Sequence, residues 1–125
     1  MQENRFEKLI VWQRAHGLVI KIYKITKNFP REEKFRLTDQ LCRSASSVPA
    51  NIVEGNARRH KKEYLQFLNT ALSSLEETKY HLLLAKDLEY LSSLEYDELL
   101  SLANEVGRLI SGLTRSLKSA KMSRV

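Results

Sequence analysis

The sequence predicts an all-α protein, an antiparallel up-down-up-down four-helix bundle with a proline-kinked second helix. Three observations carry this expectation. Apolar residues recur at three-four spacing through four long segments, as on the buried face of an amphipathic helix. Only four Gly and two Pro interrupt 125 residues, too few for the closely spaced turns of a sandwich or barrel. The connections between segments are short, which favours antiparallel neighbours. One domain accounts for the whole length, with residues 119–125 expected as a frayed tail.

The first segment runs from about Phe6 to Asn28. Leu9, Trp12, His16, Val19, Tyr23 and Thr26 form its stripe, widened by Ile10, Leu18, Ile22 and Ile25. Phe29-Pro30 ends it, because a residue before proline is pushed out of the right-handed helical region. The second segment spans about Arg31 to Ala57, with Glu32 and Glu33 in a first turn opened by Pro30. Leu41, Ala45, Val48, Ile52 and Gly55 stay in phase across Ser46-Ser47-Val48-Pro49. An internal proline costs about 3 kcal/mol and frees the carbonyl four residues earlier, so this stretch reads either as a loop or as a kink. The unbroken phase favours the kinked helix. A third segment, about Lys61 to Tyr90, carries Tyr64, Leu68, Ala71, Leu75, Thr78, Leu82 and Ala85. A fourth, about Tyr96 to Lys118, carries Leu99, Ala103, Val106, Ile110, Leu113 and Leu117, with Ser92 or Ser93 as its cap.

The formal charge of +6 is uneven: residues 1–62 carry +8 and residues 63–125 carry −2. Up-down topology gathers cations at one end: Arg5 and Lys8, then Arg58, Arg59, Lys61 and Lys62, then Arg115, Lys118, Lys121 and Arg124. Asp87, Glu89, Glu95, Asp97 and Glu98 fall at the other. A concentrated basic end suits RNA or DNA phosphates. The plainer alternative is that these cations complement helix C-termini and keep the protein soluble.

Helix two bears a polar stripe one residue out of phase with its apolar one: Gln40, Ser44, Ser47, Asn51 and Glu54. Helix three matches it with Gln66, Thr70, Ser73, Glu77 and Tyr80. Antiparallel pairing about the turn near residue 60 sets Ser47 near Ser73, Glu54 near Gln66 and Arg43 near Glu77. Small hydroxyls permit close approach, so the stripe is expected at a contact, between helices or between subunits, rather than in plain solvent.

Catalytic and metal-binding signatures are missing. None of His16, His60 and His81 has a Glu three residues before it, as a di-iron bundle requires. Glu77 and His81 share a face but are too few for a metal site, and no cofactor is expected. The single Cys42 excludes an internal disulfide, suits a reducing cytoplasm and reads as a small buried hydrophobe. No Walker, Gly-x-Ser-x-Gly or dinucleotide glycine motif occurs. No Arg stands at the Arg-x(4–6)-His spacing of some helical ribonucleases. No apolar run is long enough to cross a membrane. The expectation is a non-enzymatic cytoplasmic bundle, either a nucleic-acid-associated scaffold or a protein–protein adaptor.

Several local motifs carry a family resemblance: Phe6-x-x-Leu9-x-Val11-Trp12-Gln13-x-Ala15, Phe29-Pro30, Gln40-x-x-Arg43, Ser47-Val-Pro49-Ala-Asn51-Ile-Val-Glu54-Gly55, Tyr64-x-x-Phe67-Leu68 and Ala71-x-x-Ser74-Leu75-x-Glu77. Over residues 6–115 the chain resembles the bacterial four-helix bundle proteins encoded by intervening sequences of 23S rRNA genes. It is distantly similar to the basic accessory protein of diversity-generating retroelements, which binds nucleic acid and a reverse transcriptase. The resemblance implies a ring-like homo-oligomer, a pentamer. Cys42 stands at a position variable in the family, and the last ten residues fall outside its pattern.

Overall fold

The computed structural model describes residues 2–123, with side chains through Ser119. Its four helices are α1 (Ile10–Thr26), α2 (Leu37–Asn56), α3 (Lys61–Asp87) and α4 (Ser93–Ser123). Each packs on two neighbours in the cyclic order α1, α2, α3, α4, and the α2–α3 interface is the most extensive. Leu18, Ile22, Leu41, Ile52, Leu68, Leu75, Leu82 and Ile110, drawn from all four helices, are fully buried along the axis. Antiparallel order is visible in the cross-contacts, Arg14 with Glu105, Ser47 with Ser74 and Lys79 with Asn104.

α1 begins later than its apolar pattern. Asn4 and Glu7 form a reciprocal capping box over a 3-10 turn, Arg5–Lys8, and Leu9 is extended before the helix starts. Its buried face is Val11, Ala15, Leu18, Val19, Ile22 and Thr26. That face is rotated by about one residue from the expected stripe, leaving His16, Tyr23 and Ile10 exposed. A helix apolar on most sides gives no sharp phase, and packing against α2 and α4 chose it.

α2 begins at Leu37, six positions after the expected start. Pro30 opens a 3-10 turn over Arg31–Glu33. The Glu33 carboxylate then accepts the Leu37 amide at 3.2 Å and the Tyr90 hydroxyl at 2.8 Å. This hydrogen bond and the negative charge of Glu33 hold the Tyr90 phenol above its ordinary pKa. Pro49 lies buried inside continuous helix, as the unbroken phase predicts. Next to the gap it leaves in the ladder, Asn51 Nδ2 donates to the Ser47 carbonyl at 2.8 Å.

α3 starts at Lys61 as expected but stops at Asp87, three residues short of Tyr90. Glu89 takes the left-handed conformation (φ 67°), and the Tyr90 and Glu89 amides donate back to Ala85 and Lys86, a Schellman closure. α4 opens three residues early through a capping box, in which Glu95 N donates to Ser92 Oγ and Ser92 N to Glu95 Oε1. It continues to Ser123, so residues 119–123 are helical where fraying was expected. Val125 and Arg124 lie outside the described residues.

The polar stripe divides on folding. Ser44 is buried; its Oγ donates to the Leu41 carbonyl and accepts from Thr78 Oγ1 at 3.0 Å. Ser47 Oγ meets Ser74 Oγ at 2.9 Å, and Asn51 joins from the next turn. Partners are thus Ser74 and Thr78 rather than Ser73 and Glu77, a one-residue rotation of α3. Ser73 faces out and donates to Asn69. Arg43 pairs with Asp39 at 3.1 Å and Glu77 with His81, in place of the expected Arg43–Glu77 approach. Gln40 and Glu54 are exposed. The small side chains let α2 and α3 close on each other, most tightly at Gly55, where an added Cβ would stand 2.8 Å from Tyr64 Cδ1 and 2.9 Å from Phe67 Cβ.

Candidate nucleic-acid interface

Three segments far apart in sequence meet at one end of the bundle: the 3-10 turn before α1, the α2–α3 connection and the last turns of α4. Arg5, Asn56, Arg58, Arg59, His60, Lys61, Tyr64 and Leu117 line a recess of about 260 Å³ there. Asn56 ties it together, since its carbonyl accepts Arg5 Nη2 at 3.4 Å and its Nδ2 donates to the Tyr64 hydroxyl at 3.2 Å. The Arg58 guanidinium lies 4.7 Å from the Phe67 ring centroid. A second recess, lined by Arg5, Phe6, Val53, Asn56 and Ala57, adjoins it through Arg5 and Asn56.

The remaining cations differ in placement. Lys8, Lys62, Arg115 and Lys118 are exposed, and Lys62 is in the first turn of α3. Among the described residues, Arg58, Arg59, Lys62, Arg115 and Lys118 have no ion-pair partner. The Lys121 side chain and Arg124 lie outside what is described. Arg5 fits the simple role of a cation at a helix C-terminus, because it reaches the last carbonyl of α2. Lys61 and Lys62 do not, because the N-terminal end of a helix is the positive end of its dipole.

Sequence reasoning overlooked an aromatic ladder beside this end. Phe6 packs edge-on to Trp12 at 5.1 Å, and His16 stacks on Trp12 at 4.7 Å with planes only 9° apart. Helical spacing placed Trp12 and His16 on one face, but pairing Phe6 with Trp12 needed the 3-10 turn and the extended Leu9. The opposite end is mixed rather than purely acidic. Glu95 and Glu98 share a recess with Lys21 and Lys24 of α1, and Lys86 Nζ lies 4.9 Å from the Tyr96 ring. The proximity of α1 and α4, not readable from local sequence, moderates the expected charge dipole.

Other candidate groups stand apart. His81 is buried, bonded through Nε2 to Glu77 at 3.1 Å, with Nδ1 lacking a partner. Among the described residues, no group of three or more His, Cys, Asp or Glu is arranged to hold a metal ion, and no helix is long and apolar enough to cross a membrane. Cys42 is half-buried, 3.7 Å from Thr26 Oγ1. Burial pushes its thiol above the ordinary value; the Thr26 hydrogen bond opposes this and the charge of Asp39 adds to it. The folded protein therefore holds this proton to higher pH than the unfolded chain. The associated stability is complete below the unfolded thiol's pKa of about 8.5 and is lost as pH rises through the folded value. Dithionitrobenzoate should modify Cys42 slowly at neutral pH, faster as pH rises, and at the rate of an ordinary thiol in urea. Equal rates with and without urea at neutral pH would contradict that environment.

The antiparallel connectivity, hydroxyl-lined α2–α3 interface and basic end define a small four-helix bundle. The chain belongs to the 23S rRNA-intervening sequence protein family, whose model matches residues 7–112. It is also similar to a crystal structure from Bacteroides thetaiotaomicron, described as a protein of unknown function from the S23 ribosomal protein family. The two share 26% identity over 85% of this chain and 96% of the other, with a TM-score of 0.79. No curated protein matches the sequence.

Proposed function

We propose that this protein is a non-enzymatic, homo-oligomeric scaffold that associates with RNA or DNA through its basic end. The observation that carries the reading is the convergence of Arg5, Arg58, Arg59, His60 and Lys61 around one recess. Lys62 at the positive end of the α3 dipole strengthens it, because bound phosphate relieves a placement that is otherwise unfavourable. Self-association is supported by the large apolar side chains left in solvent, among them Ile10, Ile20 and Tyr23 of α1 and Tyr80 and Leu83 of α3. The family resemblance favours a pentamer, and the lone free thiol favours the cytoplasm. Repeating one modest basic end around a ring raises avidity without a strong single site.

The test is an anisotropy titration with RNA and DNA across a salt series, with light scattering to give the mass. Binding that weakens linearly in log–log form with salt is expected, together with quenching of Trp12, the only tryptophan. No binding at low salt would refute the reading. The second reading, a protein–protein adaptor, is favoured by Phe35, which is 84% exposed in the α1–α2 connection. A stoichiometric protein partner retained from native host extract after nuclease treatment, with no RNA or DNA binding, would select it.

A further inference from the structure

The basic end is not where the cationic surface stops. α3 and α4 leave between them a groove of about 590 Å³. Small residues line its α4 wall: Gly107 lets α4 approach α3, since an added Cβ would come within 3.3 Å of Leu75 Cδ2, and Ser111 follows one turn later. Its charged lining is Lys79, Arg108 and Arg115 against the single acid Glu76. Glu76 is already engaged with Lys79 at 2.6 Å, and Asn104 Oδ1 holds the same ammonium at 3.3 Å. Arg108 and Arg115 are exposed and, among the described residues, have no ion-pair partner. They stand one heptad apart on one face of α4, about 10.5 Å along the axis at 1.5 Å per residue.

We propose that this groove is a second phosphate-contacting surface, along which a nucleic-acid strand held at the basic end continues. This rests on the reading of the basic end given above. Continuity carries it. Arg115 lines the groove, while Leu117, two residues on, lines the recess of Arg58 and Arg59. A polyanion engaged at the end therefore meets Arg115 next and Arg108 two turns further. Guanidinium forks match phosphate oxygens bidentately. Leu72 and Leu75 offer an apolar lining for sugar faces, and Ser111 offers a short hydroxyl beside the two arginines. An acidic polypeptide is the competing occupant, but the groove includes no aromatic or deep apolar socket for a helical anchor.

The test uses labelled oligouridylates of about 6 and about 20 nucleotides, spanning the usual site sizes for single strands. Arg108→Gln with Arg115→Gln should lower the salt slope for the longer strand by about 1.4, at about 0.7 per lost phosphate contact. The short strand should bind as before. Ser111→Phe, which fills the groove and leaves the charge unchanged, should weaken the longer strand several-fold; circular dichroism checks that helicity is retained. If both variants bind both lengths like wild type, while Arg58→Gln with Arg59→Gln weakens them, the groove proposal is overturned and the basic end stands. If wild type binds neither strand nor duplex, both fall. Binding of labelled polyglutamate that depends on Arg108 and Arg115, with RNA indifferent to them, would assign the groove to acidic polypeptide and overturn the proposal.

Discussion

Gly55→Leu is expected to lower the melting temperature by about 10 °C, the result of roughly 3 kcal/mol of overpacking. Gly55 is buried at the C-terminal end of α2, where α3 comes closest. Even an alanine Cβ would meet Phe67 Cβ at 2.9 Å, an atom fixed to the α3 backbone that cannot swing away. Relief requires the two helices to part. Alanine recovers up to about 1 kcal/mol through helix propensity, so Gly55→Ala should cost less than leucine and still melt below wild type. Gly17→Ala is the internal control: it lies within α1, and its Cβ would meet nothing within 4 Å. That change should raise the melting temperature by a few degrees. The contrast assigns the loss at Gly55 to close approach rather than to glycine as such. Thermal melts followed by circular dichroism decide it; a Gly55→Leu protein as stable as wild type would mean that α2 and α3 do not close here. Arg58 follows three residues later and stacks on Phe67, so the same wedge should also weaken nucleic-acid binding.

What sequence could and could not say divides along physical lines. Helix number, order and the passage of α2 through Pro49 were legible, because periodicity integrates over many residues and one lost hydrogen bond does not cancel it. The start of α3 at Lys61 was legible from where its apolar spacing begins. Boundaries set by a single side chain were harder. Glu33 caps α2 from four residues upstream; at α4 the Ser92 cap was legible, but with the start expected at Tyr96 its Glu95 partner was not. Glu89 ends α3 in a left-handed conformation that usually goes to glycine, so no residue type announced the stop. Rotation was the other loss. α1 is apolar nearly all round, and α3 offers Ser73 and Ser74 side by side; only packing selects Ser74 for Ser47. At the site, topology was enough to bring Arg5, Arg58, Arg59 and Lys61 to one recess. The aromatic ladder was invisible because it depends on the 3-10 turn and extended Leu9 that fold Phe6 onto Trp12, and the α3–α4 groove because it depends on how far two backbones stand apart.

Neutralising four cations at once, Arg5, Arg58, Arg59 and Lys62 to Gln, should separate the two roles open to the basic end. If each meets one phosphate, the salt slope falls by about 2.8 for a single strand or 3.6 for a duplex. Between about 50 and 200 mM salt, wild type would then lose roughly a hundredfold more duplex affinity than the variant. If instead the cations serve helix ends, binding is unchanged and stability falls by about 0.3–1 kcal/mol per favourable placement. Arg5, on the Asn56 carbonyl, and Arg58 and Arg59, just past the C-terminal end of α2, are placed to contribute that way, and Arg58 also stacks on Phe67. Lys62 lies at the opposite pole of a dipole, so removing it offsets part of that loss. The variant is therefore expected to melt a few degrees below wild type while binding far more weakly. A loss of affinity far larger than the loss of stability is what a ligand-binding surface predicts and a purely structural one does not.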